Sequence, residues 1–534
     1  MHFILTQLLS LRQRPAFLAL IAGSIFPLCL APFNFWPAAL VSIGLLLQLS
    51  KNLTPTQAAR VGFLYGLGFF GTGVSWVYVS IHDFGGAGPI LATFLTLLFS
   101  AGLALFFCAQ SYLFKQLSGR SNTYSIAAFP VVWVLFEWFR SWFLTGFPWL
   151  FVGYAALENP LAGWAPVIGV YGCSLLITIS AVALSQLIPK TFFKFEDATK
   201  DAAQTDTATP TAKNTQTTLT RIAWVFMAIL PWLTGYALQQ HDWVQPSPEE
   251  EISVALVQGN IAQQEKWKAQ NLPAIMQHYQ QAMANLPQAD IILWPESAIP
   301  QFIHNIEPFL EKVRKQLPTN STLITGLLQA VPDDQRGFKI YNTLLALEQT
   351  PGRAFQIYRK QKLVPFGEFV PLEDYLRGLI ELFDLPMSQF ARGNPNQPLL
   401  HANGLSVMPL ICYEIAYPNL ARQKPADIII TVSNDSWFGN SIGPLQHLQM
   451  AQFRALEVGR YLIRATNNGV SAIVNEKGQL LHQTEQFKFE VLTGKVKKMV
   501  GATPYFEYGS TPTWLLCIAV VMAIITGRIR QARR

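Results

Sequence analysis

Eight apolar runs, near residues 16–32, 35–50, 60–81, 88–114, 123–139, 164–188, 222–239 and 513–527, constrain this chain more than any other feature. The hydrocarbon core of a bilayer takes roughly 20 apolar residues of helix, and shorter runs can span with help from their flanks. Eight spans are therefore expected. The second run is the weakest, because the turn from Phe33 to Trp36 can fold it into a hairpin with the first. Composition agrees: with 51% hydrophobic and 13% charged residues, much of the chain has to sit in lipid. The first run passes into the second without a small-residue cleavage site, so it is expected to remain in the mature protein and not to act as a cleaved signal peptide.

The net charge of +7 does not point to nucleic acid, because Lys and Arg are spread among apolar segments and form no basic stripe with interleaved aromatics. Membrane orientation explains it. Arg12, Arg14, Lys51, Arg60, Lys115, Arg120, Lys190, Lys194, Lys200, Lys213, Arg221, Arg528, Arg530, Arg533 and Arg534 all fall on one side of the expected spans. The intervening loops near 33 and 84 have no Lys or Arg, and that at 140–163 has only Arg140. By the positive-inside rule both termini are cytoplasmic, and residues from about 241 to 510 face the opposite side. The cysteines at 29, 108, 173, 412 and 517 show no paired spacing, and the eight histidines are scattered, so neither a disulfide framework nor a metal site is expected.

Residues 1–240 thus read as a membrane domain of seven spans, interrupted by a polar, aperiodic stretch within 190–220 that reads as a disordered cytoplasmic loop. A Pro- and charge-rich linker, 241–251, leads to a second domain, 252–505, and residues 511–534 form the eighth span with a basic tail. In the second domain the runs ISVALVQGNI, ADIILWPES, TLITGLL, SVMPLICYEI and ADIIITVSND read as buried strands, and 273–286, 305–316 and 444–458 as helices, which makes it an α/β sheet domain. In the membrane half, Glu137 and Arg140 are spaced to share a helix face as an ion pair, either structural or in contact with substrate. Gly62, Gly66, Gly68, Gly71 and Gly73 predict close helix packing.

Three motifs of the second domain contain groups suited to covalent acyl transfer: Glu296 in ILWPESAIP, Lys360 in YRKQKLVPFGEFVP and Cys412 in MPLICYEI. A thiol attacking an acyl carbon needs a base to take its proton, and the tetrahedral intermediate needs a cation or N–H groups for its oxyanion. Glu296 ends a buried strand and suits the base, with a pKa expected to be raised by burial. Arg359, Lys360 and Lys362 read by themselves as a solvated basic turn; an ammonium from this loop near Cys412, the role that the resemblance described next gives to Lys360, would lower the thiol pKa and stabilise the oxyanion. Cys412 closes an apolar strand just as polar residues begin, which places the Tyr413 N–H as an oxyanion donor.

The order Glu, Lys, Cys and the flanking residues resemble the nitrilase superfamily, and the fused hydrophobic half narrows the resemblance to the apolipoprotein N-acyltransferases of bacterial inner membranes. The segments FGTGVSWVYVSIHDFGG, LTGFPWLFVGYA, QGNIAQQEKW, SNDSWFGNS and RALEVGRYLIRATNNGVSAIVN extend the resemblance over nearly the whole chain. It implies a four-layer α-β-β-α sandwich and a Glu296–Lys360–Cys412 triad that needs no cofactor. It also implies an acyl donor, a membrane phospholipid, and an acceptor, the diacylglyceryl-cysteine of an apolipoprotein, with the catalytic domain in the periplasm. Glu368 resembles a second family glutamate that either orients Lys360 or the incoming amine, or braces its loop. Glu414 matches another, for which a salt bridge is the alternative role, and Trp267 matches a tryptophan at the site entrance or packs as an ordinary loop aromatic. The stretch 374–389 is amphipathic and fits a lid at the membrane surface. Two other readings of the same residues are a membrane-tethered amidase, in which water replaces the amine, and a transporter or assembly factor whose nitrilase-like domain only binds.

Overall fold

The computed structural model describes residues 15–119, 121–188, 218–248, 251–334, 337–349, 355–370 and 390–533. Most of the expected cytoplasmic loop and the expected lid at 374–389 lie outside the described residues. Among those described, four helices are long and apolar enough to cross a membrane: Pro89–Ser118, Pro160–Leu187, Thr218–Gln239 and Thr511–Ala532. A fifth span results if Pro55–Gly73 and Trp76–Phe84, which meet at a 57° bend, form one crossing.

The count falls short of the expected eight for local reasons. The first run breaks, the helix Pro15–Ile25 giving way to a 3-10 turn, Phe26–Cys29, at Pro27. The second forms the 14-residue helix Pro37–Ser50, about 21 Å long at 1.5 Å per residue against a core of about 30 Å. The fifth forms Asn122–Arg140, whose polar ends dilute its apolar centre. Glu137 and Arg140 on that helix do not form the expected pair. Glu137 accepts hydrogen bonds from Trp133 Nε1 (3.1 Å) and the Val152 N–H (2.8 Å), while Arg140 donates to the Phe147 carbonyl (2.9 Å) and stacks over Phe70 and Phe151. Each spends its charge on holding the loop that follows.

The membrane helices pack by close backbone approach. A capping box at Thr54 and Gln57 starts Pro55–Gly73. Along this helix a Cβ at Gly68 would strike the Leu20 carbonyl oxygen, and Gly62, Gly66 and Gly73 are also closed in, whereas Gly71 faces open space.

In the second domain, two six-stranded sheets lie face to face. One runs in the order Glu490–Val496, Ile252–Gln258, Ile291–Leu293, Thr322–Asp333, Gly337–Glu348, Gln356–Arg359; the other runs Leu480–Gln483, Ala472–Val474, Leu462–Thr466, Ile428–Ser433, Leu405–Ile411, Leu400–Ala402. The strands read from sequence are all present. Several of the others are short or polar, such as Leu480–Gln483, which is exposed throughout. Strand alternation divides the core: Val254 and Leu256 meet Val407, Ile430 and Val432 between the sheets, while Ala255 and Val257 face the opposite way onto Ile275, Tyr279 and Leu310. The helices Leu272–Ala284 and Glu307–Gln316 cover that outer face.

The other outer face is covered by the helix Gly443–Val458, which is buried almost throughout because membrane-domain residues, including Phe151, Val170 and Tyr171, pack in the same core. Its polar side chains clasp that domain: Gln446 Oε1 accepts from Trp149 Nε1 (2.7 Å), Gln449 Oε1 from the Ala31 N–H (3.1 Å) and Glu457 Oε1 from the Val170 N–H (2.7 Å). Where the chain enters and leaves the sandwich, Gln245–Pro246 pairs antiparallel with Met499–Val500.

Gly68→Val should destabilise the protein by about 1–3 kcal/mol through overpacking, whereas Gly71→Ala should be neutral or stabilising by up to about 1 kcal/mol from helix propensity. Thermal unfolding in detergent compares the two, and equal effects would show that close approach at Gly68 is not required.

Candidate functional site

Parallel strands in both sheets end on the same side, and the candidate residues collect there. Glu296 stands three residues beyond Ile291–Leu293, Lys360 follows Gln356–Arg359 directly, and Cys412 follows Leu405–Ile411. Lys360 Nζ lies 3.2 Å from Glu296 Oε1 and 2.9 Å from Glu368 Oε1. Asn342 Nδ2 joins the same two carboxylates, at 2.7 Å to Glu296 Oε1 and 2.9 Å to Glu368 Oε1. The second oxygen of each carboxylate takes a backbone N–H: Asn434 to Glu296 Oε2 and Val364 to Glu368 Oε2, both at 2.8 Å.

These contacts decide the protonation states. Burial pushes the Glu296 carboxyl up, but the Lys360 ammonium, the Asn342 amide and the Asn434 N–H outweigh it, so its pKa falls below the ordinary value instead of rising as expected. Lys360 goes the other way: burial would lower it, yet Glu296 and Glu368 hold it charged well above the usual lysine range. Cys412 is half-buried. Burial and the charge of Glu296 push its thiol up, and Lys360 offsets only part of this, so the expected lowering does not occur. The resting site thus has a neutral thiol facing an ionised carboxylate. The Cys412 backbone is left-handed, φ 51°, a conformation that costs a non-glycine residue energy and recurs at functional sites.

Glu414 lies two residues beyond Cys412 and is fully buried. No salt bridge to it is present among the described residues. Its carboxylate instead accepts the N–H groups of Gln361 (2.6 Å), Lys362 (3.1 Å) and Ile411 (2.8 Å) and the Tyr358 hydroxyl (3.0 Å). It therefore ties the loop beyond Lys360 to the residue before Cys412. Tyr413 is the second residue of the 3-10 helix Cys412–Ala416, whose first N–H groups have no acceptor within the helix. The Tyr413 hydroxyl donates to the Gly146 carbonyl and that of Tyr417 to the Thr145 carbonyl, both at 3.1 Å, so the loop fixed by Glu137 and Arg140 rests against the neighbours of Cys412. Trp267 follows the short helix Gln263–Lys266 and is half-buried.

Several residues at the site carried no recognised signal. Lys266 is buried, its Nζ 3.2 Å from the Glu296 carbonyl oxygen, and burial pushes its pKa down to about 8. Asn342 lies on a strand that was not read, so nothing in the sequence singled it out. Asn434 and Asp435 fall in the SNDSWFGNS segment, where a strand end next to polar residues was the available clue.

Two family models match the chain: the apolipoprotein N-acyltransferase N-terminal domain over residues 22–183 and carbon-nitrogen hydrolase over residues 253–505. Among curated relatives, the apolipoprotein N-acyltransferase of Pseudomonas syringae pv. tomato is 43% identical over 525 residues, covering 96% of this chain and 97% of its own. That of Pseudomonas aeruginosa is 42% identical, covering 97% of both chains. That of Photobacterium profundum is 39% identical, covering 97% of this chain and 96% of its own. With such identity sustained across both the hydrophobic half and the sandwich, this chain belongs to the apolipoprotein N-acyltransferase family.

Proposed function

We propose that the protein transfers a fatty acyl chain from a membrane phospholipid, through a thioester on Cys412, to the α-amino group of the diacylglyceryl-cysteine at an apolipoprotein N-terminus. The observation that carries this reading is the buried Lys360–Glu296 ion pair next to a cysteine held in a left-handed turn at a strand end, in a chain of this family. The Cys412 sulfur attacks the ester carbonyl while Glu296, already ionised, takes the thiol proton. Lys360 and the Tyr413 N–H stabilise the oxyanion. The carbonyl–oxygen bond then breaks, Glu296 returns the proton to the departing oxygen, and a lysophospholipid leaves. In the second half-reaction the lipoprotein amine attacks the thioester, the carbon–sulfur bond breaks, and the proton lost by the amine passes through Glu296 to the sulfur. No cofactor is called for.

Glu414 serves in this scheme as the tie between the Lys360 loop and the nucleophile, Glu368 orients Lys360, and Trp267 borders the entrance. Both substrates have acyl chains, which is the reason for a fused membrane domain. The site faces the periplasm, with the sandwich (252–505) between the seventh and eighth spans and both termini in the cytoplasm; the distribution of Lys and Arg supports this orientation. The shorter helices Pro15–Cys29 and Pro37–Ser50, with Asn122–Arg140, complete eight crossings. Their packing in the same apolar core as the long helices supports that count.

Wild-type protein given labelled phospholipid alone should accumulate a hydroxylamine-labile acyl group on Cys412, and a diacylglyceryl-cysteine peptide should discharge it as an N-acyl product. Equally fast discharge by water would favour an amidase, and no label on Cys412 would exclude the covalent route. Asn342→Leu removes a donor to the charged form of Glu296, so its pKa rises. A charge-assisted hydrogen bond is worth about 1.5–3 kcal/mol, which moves the acid limb of the acylation rate up by roughly one to two pH units. A limb that stays in place or moves down would sink the assignment of Glu296 as the base. A membrane-impermeant thiol reagent should reach Trp243→Cys only from the periplasmic face; labelling from the cytoplasm would invert the topology.

A further inference from the structure

Behind the reacting groups lies a buried polar cluster that the mechanism above does not use. His447, on the helix Gly443–Val458, has Nε2 3.0 Å from the carbonyl oxygen of Cys412. A carbonyl oxygen only accepts, so Nε2 bears a hydrogen. On the other side of the ring, Nδ1 lies 3.0 Å from both Asp435 Oδ1 and Arg464 Nη2. Arg464 Nη2 is 2.7 Å from Asp435 Oδ2, and Ser433 Oγ donates to Asp435 Oδ1 at 2.5 Å. All four side chains are almost completely shielded from solvent. Burial and the neighbouring Arg464 lower the His447 pKa, with Asp435 opposing them, which favours the neutral ring with its hydrogen on Nε2.

The Cys412 carbonyl and the Tyr413 N–H belong to one planar trans peptide and point in opposite directions. A donor fixed on that oxygen therefore sets the direction of the N–H, and by polarising the peptide it strengthens the N–H as a donor. We infer that His447, whose Nδ1 accepts from Arg464 while Asp435 holds that guanidinium in place, is a positioning residue that aims the Cys412–Tyr413 peptide so that its N–H meets the oxyanion. The same segment also indexes the base: Asn434, between Ser433 and Asp435, donates its N–H to Glu296. One strand end thus sets the base and the oxyanion peptide relative to each other. His447 acts through the peptide and does not touch substrate.

This inference rests on the proposed role of Cys412 as nucleophile, and its test separates the two. Full-length protein in phospholipid–detergent micelles is assayed for the single-turnover rate of Cys412 acylation and, separately, for alkylation of Cys412 by iodoacetamide, a displacement that forms no oxyanion. His447→Leu should slow acylation by about 10- to 100-fold, in line with weakening one oxyanion donor. The KM for phospholipid should stay within about twofold and alkylation within about threefold of wild type, since neither draws on that donor. His447→Gln, whose amide can donate to the Cys412 carbonyl and accept from Arg464, should recover acylation to within about fivefold of wild type. Unchanged acylation in His447→Leu, or equal losses of acylation and alkylation, would overturn the inference. If His447→Leu does not fold, His447→Gln is compared with the shorter His447→Asn, and equal acylation rates would overturn it. If wild-type Cys412 takes up no acyl label, the proposed function itself fails and the inference fails with it.

Discussion

The arrangement of this protein depends on one buried charge. Lys360 is about 1% exposed, and an ammonium taken out of water is costly unless it is paired and hydrogen-bonded. Glu296 and Glu368 meet that need from different segments, Asn342 bridges the two carboxylates, and backbone N–H groups fill their second oxygens. Removing any member would leave another buried charge exposed to that cost. The pairing also explains why Glu296 stays ionised deep in the fold while the nearby thiol stays neutral. In the proposed chemistry, proton transfer therefore belongs to the act of attack and does not precede it.

The second dependence is mechanical. The helix Gly443–Val458 has no solvent-facing side: one face covers a sheet and the other is sealed by the membrane domain. Its polar residues are consequently divided between two tasks. Gln446, Gln449 and Glu457 hold the membrane domain, while His447 reaches the Cys412 carbonyl. From the opposite direction, Glu137 and Arg140 hold the loop that meets the hydroxyls of Tyr413 and Tyr417. The peptide beside the proposed nucleophile is thus gripped by the sandwich on one side and by the membrane domain on the other. The carbon-nitrogen hydrolase domain is in this way tied to the helices of the N-terminal half.

Much of this was legible in the residues themselves. Apolar runs of bilayer length mark the membrane half, because a helix in lipid needs nothing beyond its own backbone bonds and apolar side chains. Short apolar runs such as Val254–Val257 mark the buried strands, and the Glu296, Lys360 and Cys412 motifs mark the residues that the fold gathers at strand ends. Local sequence could not supply the number of full crossings. Where Pro27 breaks a helix and where a 14-residue helix stops short depend on how neighbours fill the space.

Tertiary structure alone decided the electrostatics and the partners. Burial by itself predicts a raised Glu296 pKa, yet three donors from distant segments reverse the sign. Spacing alone predicts an ion pair between Glu137 and Arg140, yet each finds a stronger claim on its charge in the loop that follows. Asn342, Asp435, His447 and Arg464 look like ordinary polar residues in the chain and become parts of one site only after the sheets have closed over them. A pattern along the chain records what each residue is. Its charge state and its partners depend on distances between residues far apart in sequence, and those exist only in the folded protein.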